Sequence, residues 1–341
     1  MLAAPSAPLG AARGRQQLPL PSVRLVRAPA LVMPGAVDSN IPLAWDLAEG
    51  RWQLFALASW GGIPALLTGS SIDAMHRVGD VTIAPHPGHG IWIESVIPDE
   101  GGTWYGYYHH EAPAEACGRN DRFIPRIGAA RSADRGATWE DLGIIIEGPQ
   151  AGIACSSTNR FLMGGVGDVS AVLNADRSDL FLYFTQYPKA AAGQGVAVAR
   201  LAWADRDAPA GRVTVWNRGA WLKDVEGTPL IAPSRPWHDG NPAADAYWGP
   251  SIHWNTYLDR YVMLINRARD ESFNSDGMYV SFAPTLDDPL AWSAPRKFMN
   301  GGGWYPQVAG LDTGSGTDKE AGQRARFFLT GSSEHYIEFT R

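Results

Sequence analysis

Asp38 in VDSN, Glu94 in WIES and Asp168 in GVGDVS are the acidic residues whose placement could do chemistry, because each stands at the opening of a strand-like run. Two carboxylates held near one another divide their roles: one keeps its proton and serves as general acid, the other stays ionised as base or nucleophile. Each residue taken singly has a structural explanation. An Asp before Ser-Asn caps a turn, a Glu pairs with an arginine, and an Asp after glycines closes a tight loop. Three acids at equivalent points of successive units are harder to explain that way, since like charges gathered together cost energy unless function or a cation uses them. Other polar residues open two further units: Ser251 and His253 in WGPSIHW, and Tyr305 and Gln307 in GGWYPQ.

The elements that must position these residues repeat along the chain. An aromatic, alternating strand recurs five times: RWQLFALAS, TWYGYYHHE, LFLYFTQY, RYVMLINR and RARFFLTGSS. Each follows a shorter run that begins with polar residues, across a turn such as DLAEGR or NADRSD, so each pair reads as a hairpin. The first four pairs continue into two more strand-like runs. The fifth has only EHYIEFTR left, one strand short, and SVRLVRAPALV (22–32) is free to fill the gap. Pairing that N-terminal strand with the last unit would close a ring and remove its open edges. The fold class predicted is all-β: a single five-bladed β-propeller over 22–341, with the first strand of every blade lining the axial channel. Residues 1–21 read as an Ala/Pro-rich lead outside it, or as the remnant of a leader.

SADRGATWEDLG, between two apolar runs of the second unit, specifies one turn closely. Asp134 can accept backbone N–H groups across the loop, Gly136 supplies a positive φ, and Trp139 packs under the outgoing strand. The spacing Ser-x-Asp-x-Gly-x-Thr-Trp resembles the Asp-box of sialidases and other propellers. There the box is a structural clip on the rim.

Composition excludes some classes. The net charge is −6 and the basic residues are scattered, so nucleic acid is not an expected partner; no run is long enough to span a membrane. Cys117 and Cys155 flank the turn and read equally as a disulfide or as two buried thiols. Secretion or a periplasmic location is the expectation, with the cytoplasm as alternative, and the chain is read as a monomer.

The repeat layout and the blade-start acids resemble the five-bladed glycoside hydrolases of the arabinanase, xylosidase and fructosidase superfamily, which includes family 43. The resemblance implies an enzyme that cleaves a glycosidic bond of a carbohydrate substrate. It matches Asp38 to the blade-one Asp that acts as base or nucleophile, and Asp168 to a later Asp that tunes the acid and orients substrate. The family-43 acid is a Glu before Gly-Pro in blade four, where this chain has Trp248-Gly249-Pro250. Glu94 beside Trp92 is the expected substitute, with His109 and His110 in reserve; a desolvated Glu near two aspartates would have a raised pKa. A Glu-Gly-Pro at Glu147–Pro149 ends an outer strand instead. Trp45, Trp248, Trp254, Trp304 and Tyr305 are candidate sugar platforms, and His253 and Gln307 candidate polar contacts. No cofactor and no catalytic metal are expected, a structural calcium in the axial channel being the alternative.

His86 and His89 in HPGHG have a metal-like spacing but read more simply as loop histidines. GGVGD lacks the helix that a phosphate loop needs. A sialidase would need six blades and three arginines, and a glycoside phosphorylase a basic pocket, for which Arg126, Arg267 and Arg269 are the material. A non-catalytic carbohydrate-binding propeller would keep the aromatics without an acid pair.

Overall fold

The computed structural model describes residues 20–48, 50–157, 163–190, 193–231, 246–269 and 274–341. Residues 1–19 of the expected lead lie outside them.

The aromatic strands are the second strands of five antiparallel sheets. Blade one runs Leu43–Ala48, Arg51–Trp60, Ile63–Gly69 and His76–Asp80 in spatial order. In blade two Gly90–Pro98, Trp104–Ala114, Arg119–Ser132 and Thr138–Ile146 follow one another, with Thr82–Ala84 pairing parallel on the outer edge. Blade three begins with Val166–Leu173, Asp179–Gln186 and Gly195–Ala202, and blade four with Tyr247–Asn255, Arg260–Ala268 and Ser275–Ala283. Blade five holds Pro306–Gly310, Arg324–Leu329 and Ser332–Thr340, and its fourth strand is Ser22–Val32. That last pairing is antiparallel from Ser22↔Thr340 to Val32↔Ser332, which closes the ring as the strand deficit predicts. The only helices among the described residues are single 3₁₀ turns, and none is long and apolar enough to cross a membrane.

The core lies between the blades. A sheet of alternating residues has two apolar faces here, and each must be covered by its neighbour. Five buried clusters do so: Phe55, Leu57 and Trp104 join blades one and two, Tyr107 and Leu182 blades two and three, Tyr183 and Met263 blades three and four, Leu264 and Phe327 blades four and five, and Phe328 and Leu43 blades five and one. Polar side chains add links near the axis. Gln307 donates to Ile41 O at 2.7 Å and accepts Ile41 N–H at 2.6 Å; Ile252 N–H donates to Ser170 Oγ at 3.0 Å, and Ala171 N–H to Ser95 Oγ at 2.9 Å.

The turn after Arg119–Ser132 has the geometry its sequence implies. Asp134 accepts Thr138 N–H at 2.9 Å and Thr138 Oγ1–H at 2.6 Å; Gly136 has φ +86° and gives its N–H to Ser132 Oγ. Trp139, buried, donates its indole N–H to Gly136 O. Cys117 and Cys155 form a disulfide, with Cα atoms 5.2 Å apart.

Candidate active site

The inner strands of blades two, three and four carry one shared irregularity. Pairing with the second strand shifts between Ile93 and Ser95, between Gly167 and Ser170, and between Trp248 and Ser251. A bulge of this kind leaves residues unpaired and turns their side chains off the regular alternation. The residues released are Glu94, Asp168 with Val169, and Gly249 with Pro250.

Asp168 adopts φ +50°, a left-handed conformation uncommon for a residue with a side chain. Its carboxylate is held there by the Tyr187 hydroxyl, a very short bond, and by the Tyr305 hydroxyl at 3.2 Å. Burial first, and then the Asp168 charge, pushes both tyrosine hydroxyls well above their usual range, so they act as neutral donors. Asp168 N–H donates to His109 Nδ1 at 3.1 Å, which makes Nδ1 an acceptor and puts the proton of a neutral ring on Nε2. The preceding glycines admit the neighbouring blade: a Cβ on Gly165 would stand 2.4 Å from Pro125 O, and one on Gly167 2.5 Å from the His109 ring. Close packing, not phosphate binding, accounts for the GGVGD run.

Asp38 lies in the segment that leads into the first strand of blade one. Trp92 Nε1–H donates to Asp38 Oδ1 at 2.6 Å, and Gly61 N–H to Oδ2 at 3.1 Å. Asp38 and Asp168 share a cavity of about 280 Å3 at one end of the axial channel. Its wall also carries Glu111 and His109, with the rings of Trp92, Phe123, Trp248, Trp304 and Tyr305 around them. Among the described residues no lysine or arginine lines it.

Glu94 sits behind this wall, 1% exposed. Val169 N–H donates to its Oε2 at 2.5 Å. Burial, reinforced by the charges of Asp168 and Asp38, raises its carboxyl pKa well above the usual range. Beyond it, Lys319 Nζ donates to Ser95 Oγ at 3.0 Å and Ser170 Oγ at 3.2 Å and pairs with Asp318 at 3.0 Å. Lys319 also borders a wider groove at the far ends of the same inner strands.

Glu94, His109 and Asp168 bring one donor atom each within 4.8 Å of one another. Two carboxylates and an imidazole would supply three of the about six to eight ligands calcium takes, waters being among the others. Glu94 Oε2 already accepts a backbone N–H, and both Asp168 oxygens accept tyrosine hydroxyls. No step below passes through a metal.

Of the residues singled out in the sequence, the cavity brings together Asp38, Asp168, His109, Trp248, Trp304 and Tyr305. The others lie elsewhere, for visible reasons. Neighbouring strand residues face opposite ways, so His110 points from His109 into the blade, bonded to Gly88 O and to Arg126, and burial lowers its pKa. His253 is fully buried against Phe339, its pKa lowered by burial to about 3. Gln307 is spent on the Ile41 link. Trp45 and Trp254 border the opposite groove, where Trp45 donates to Gly316 O at 2.7 Å. His86 accepts Gly88 N–H within its own exposed loop. Arg126 pairs with Glu147, Arg267 pairs with Asp276, and Arg269 is likewise off the cavity wall. Glu111 was missed by the sequence reading, although it lies two residues from His109 and so on the same strand face.

Neither a protein-family model nor a curated protein matches the sequence. Solved structures do match in fold. An endo-arabinase from Bacteroides thetaiotaomicron is 12% identical with TM-score 0.54, over 91% of this chain and 96% of that one. A thermostable family-43 glycoside hydrolase is 13% identical with TM-score 0.50, over 91% and 92%. An exo-β-1,3-galactanase from Phanerochaete chrysosporium, solved with β-1,3-galactotriose, is 13% identical with TM-score 0.50, over 91% of this chain and 63% of that one. What these similarities fix is the architecture: the chain has the five-bladed β-propeller fold of the family-43 glycoside hydrolase and arabinanase structures.

Proposed function

We propose that the protein is a glycoside hydrolase acting in the axial cavity. The observation that carries this reading is the convergence of Asp38 and Asp168 on one aromatic-walled cavity in a fold shared with arabinanase and galactanase structures. Rings present flat apolar faces to the C–H surfaces of a sugar, while carboxylates and the His109 Nε2 side can meet its hydroxyls. Asp38 is the carboxylate that faces the anomeric carbon, as base or nucleophile. Asp168, fixed by two tyrosines, orients substrate. Glu94, its carboxyl pKa raised by burial, holds its proton more firmly than an exposed Glu and so resists adding a negative charge beside Asp38 and Asp168.

The charge of the wall narrows the substrate. With three carboxylates and no described cation, the cavity suits a neutral glycan and opposes sialic acid, uronic acid or phosphate. That weighs against a sialidase or phosphorylase, since Arg126, Arg267 and Arg269 all lie off the wall. We read the Ser132–Trp139 turn as an Asp-box with a purely structural role. The Cys117–Cys155 disulfide supports a secreted or periplasmic protein, and we read the chain as a monomer.

A panel of aryl furanosides and pyranosides, neutral and anionic, tests the reading. Release of phenol from one or more neutral members, with none from uronides or sialosides, is the expected result. Glycan binding without turnover of any member would instead favour a carbohydrate-binding propeller.

A further inference from the structure

The geometry points to Glu111 as the group that protonates the departing sugar, a reading that rests on the glycosidase assignment above. Blade four offers no carboxylate at the position before Gly249-Pro250, where Trp248 stands. Glu94 is off the wall and buried. Three carboxyl groups remain on the cavity surface, and two of them already have roles: Asp38 faces the anomeric carbon and Asp168 orients substrate. Glu111 is the third. It shares its strand face with His109, is half-buried, and reaches the wall beside Pro125, its cross-strand partner.

Its other cross-strand partner is Gly90, and the Trp92 ring packs so closely over that glycine that a Cβ there would stand 2.8 Å from it. The same indole gives its N–H to Asp38. Glu111 and Asp38 therefore approach the cavity from the two ends of one indole ring. A proton donor and a base or nucleophile must likewise stand apart across the scissile bond, at about 5–10 Å.

In the step this implies, Glu111 gives its proton to the glycosidic oxygen. The bond from the anomeric carbon to that oxygen breaks, and its electron pair stays on the oxygen. The anomeric carbon bonds either to the Asp38 carboxylate or to a water oxygen whose proton passes to Asp38. In the first case a water then displaces Asp38 and gives its proton to Glu111. In the second, Asp38 returns its proton to solvent and Glu111 takes one up. Both routes consume one water per bond cleaved.

Leaving-group dependence tests the assignment, using the neutral sugar that the panel identifies. Wild type, Glu111→Gln, Glu111→Asp and Glu94→Gln are compared on its alkyl and dinitrophenyl glycosides, with thermal unfolding to verify folding. An alkoxide needs a proton to depart and dinitrophenolate does not, so Glu111→Gln should lose about 10²–10⁴-fold on the alkyl glycoside and under about 10-fold on the aryl one. It should also lose the alkaline limb of its kcat/KM profile, while Glu111→Asp keeps that limb and part of the alkyl activity. Equal losses on both substrates, an unimpaired Glu111→Gln, or the leaving-group contrast in Glu94→Gln instead would overturn the role of Glu111 and leave the glycosidase reading standing. A folded wild type inactive on the whole panel would overturn both.

Discussion

At the scale of single residues, Glu94 shows how position and environment part company. Its place at a blade start is legible in the sequence, as are those of Asp38 and Asp168. Its direction is not, because a bulge sets it off the alternation that sequence pattern assumes. Glu111 is the converse case: two residues from His109, it shares the cavity face by simple strand periodicity, a signal that was present and unused. Burial of Glu94 also has a consequence for stability. A carboxyl whose folded pKa is raised above its ordinary 4.5 binds its proton more tightly in the folded state, so its stabilising contribution is complete below that value and is lost as pH rises through the folded pKa. The slope from one such proton is at most about 1.4 kcal/mol per pH unit. Glu94→Gln keeps a neutral acceptor for Val169 N–H and cannot ionise. Its unfolding temperature should therefore hold up better than wild type's from about pH 5 upward, and parallel curves for the two proteins would show that Glu94 does not titrate in that window.

At the scale of elements, the turn Ser132–Trp139 and the inner-strand bulges divide structure from function. The parts played by Asp134, Gly136 and Trp139 in the turn were legible, because the bonds that shape it are local: Asp134 to Thr138, Gly136 to Ser132, Trp139 to Gly136. The bulges were not, since a register shift depends on the partner strand and leaves no mark in local composition. Asp134→Ala should cost about 1–3 kcal/mol in denaturant unfolding, the price of orphaned donors. Because the turn joins the outer strands of blade two and touches no cavity residue, kcat on the best panel substrate should stay within about two-fold of wild type. A large fall in kcat with unchanged stability would place the turn in the active machinery instead. The disulfide belongs to this scale too. It spans 38 residues and should contribute about 4 kcal/mol on the chain-entropy model.

At the scale of the whole molecule, the ring is held by five inter-blade clusters and one closing strand. The count of blades was legible because each unit repeats an aromatic strand, and closure because the fifth unit lacked one. Ser22–Val32 pairs with residues 300 or more positions away, so the last blade is complete only when it has met Ser332–Thr340. Deleting residues through 33 should expose the edge of Ser332–Thr340 and uncover Phe339 and Ile337. The expected result is aggregation, or unfolding at least about 10 °C lower in a thermal scan; an unshifted transition would mean that the ring does not depend on its closing strand.

Asp38 is where these scales meet, since the ring brings the start of blade one to the cavity that Asp168 of blade three also lines, and the Trp92 indole of blade two then fixes the carboxylate there. Asp38→Asn keeps the shape and can still accept the Trp92 indole N–H through its one amide oxygen, at the loss of the exposed Gly61 bond, so thermal unfolding is used to verify that it folds. The decisive measurement is its kcat/KM on the panel's best dinitrophenyl glycoside, a substrate whose leaving group needs no acid. The expected result is a loss of about 10³-fold or more in a variant that thermal unfolding shows to be folded, and a folded Asp38→Asn that hydrolyses this substrate at the wild-type rate would contradict the assignment of the axial cavity as the site of glycoside cleavage.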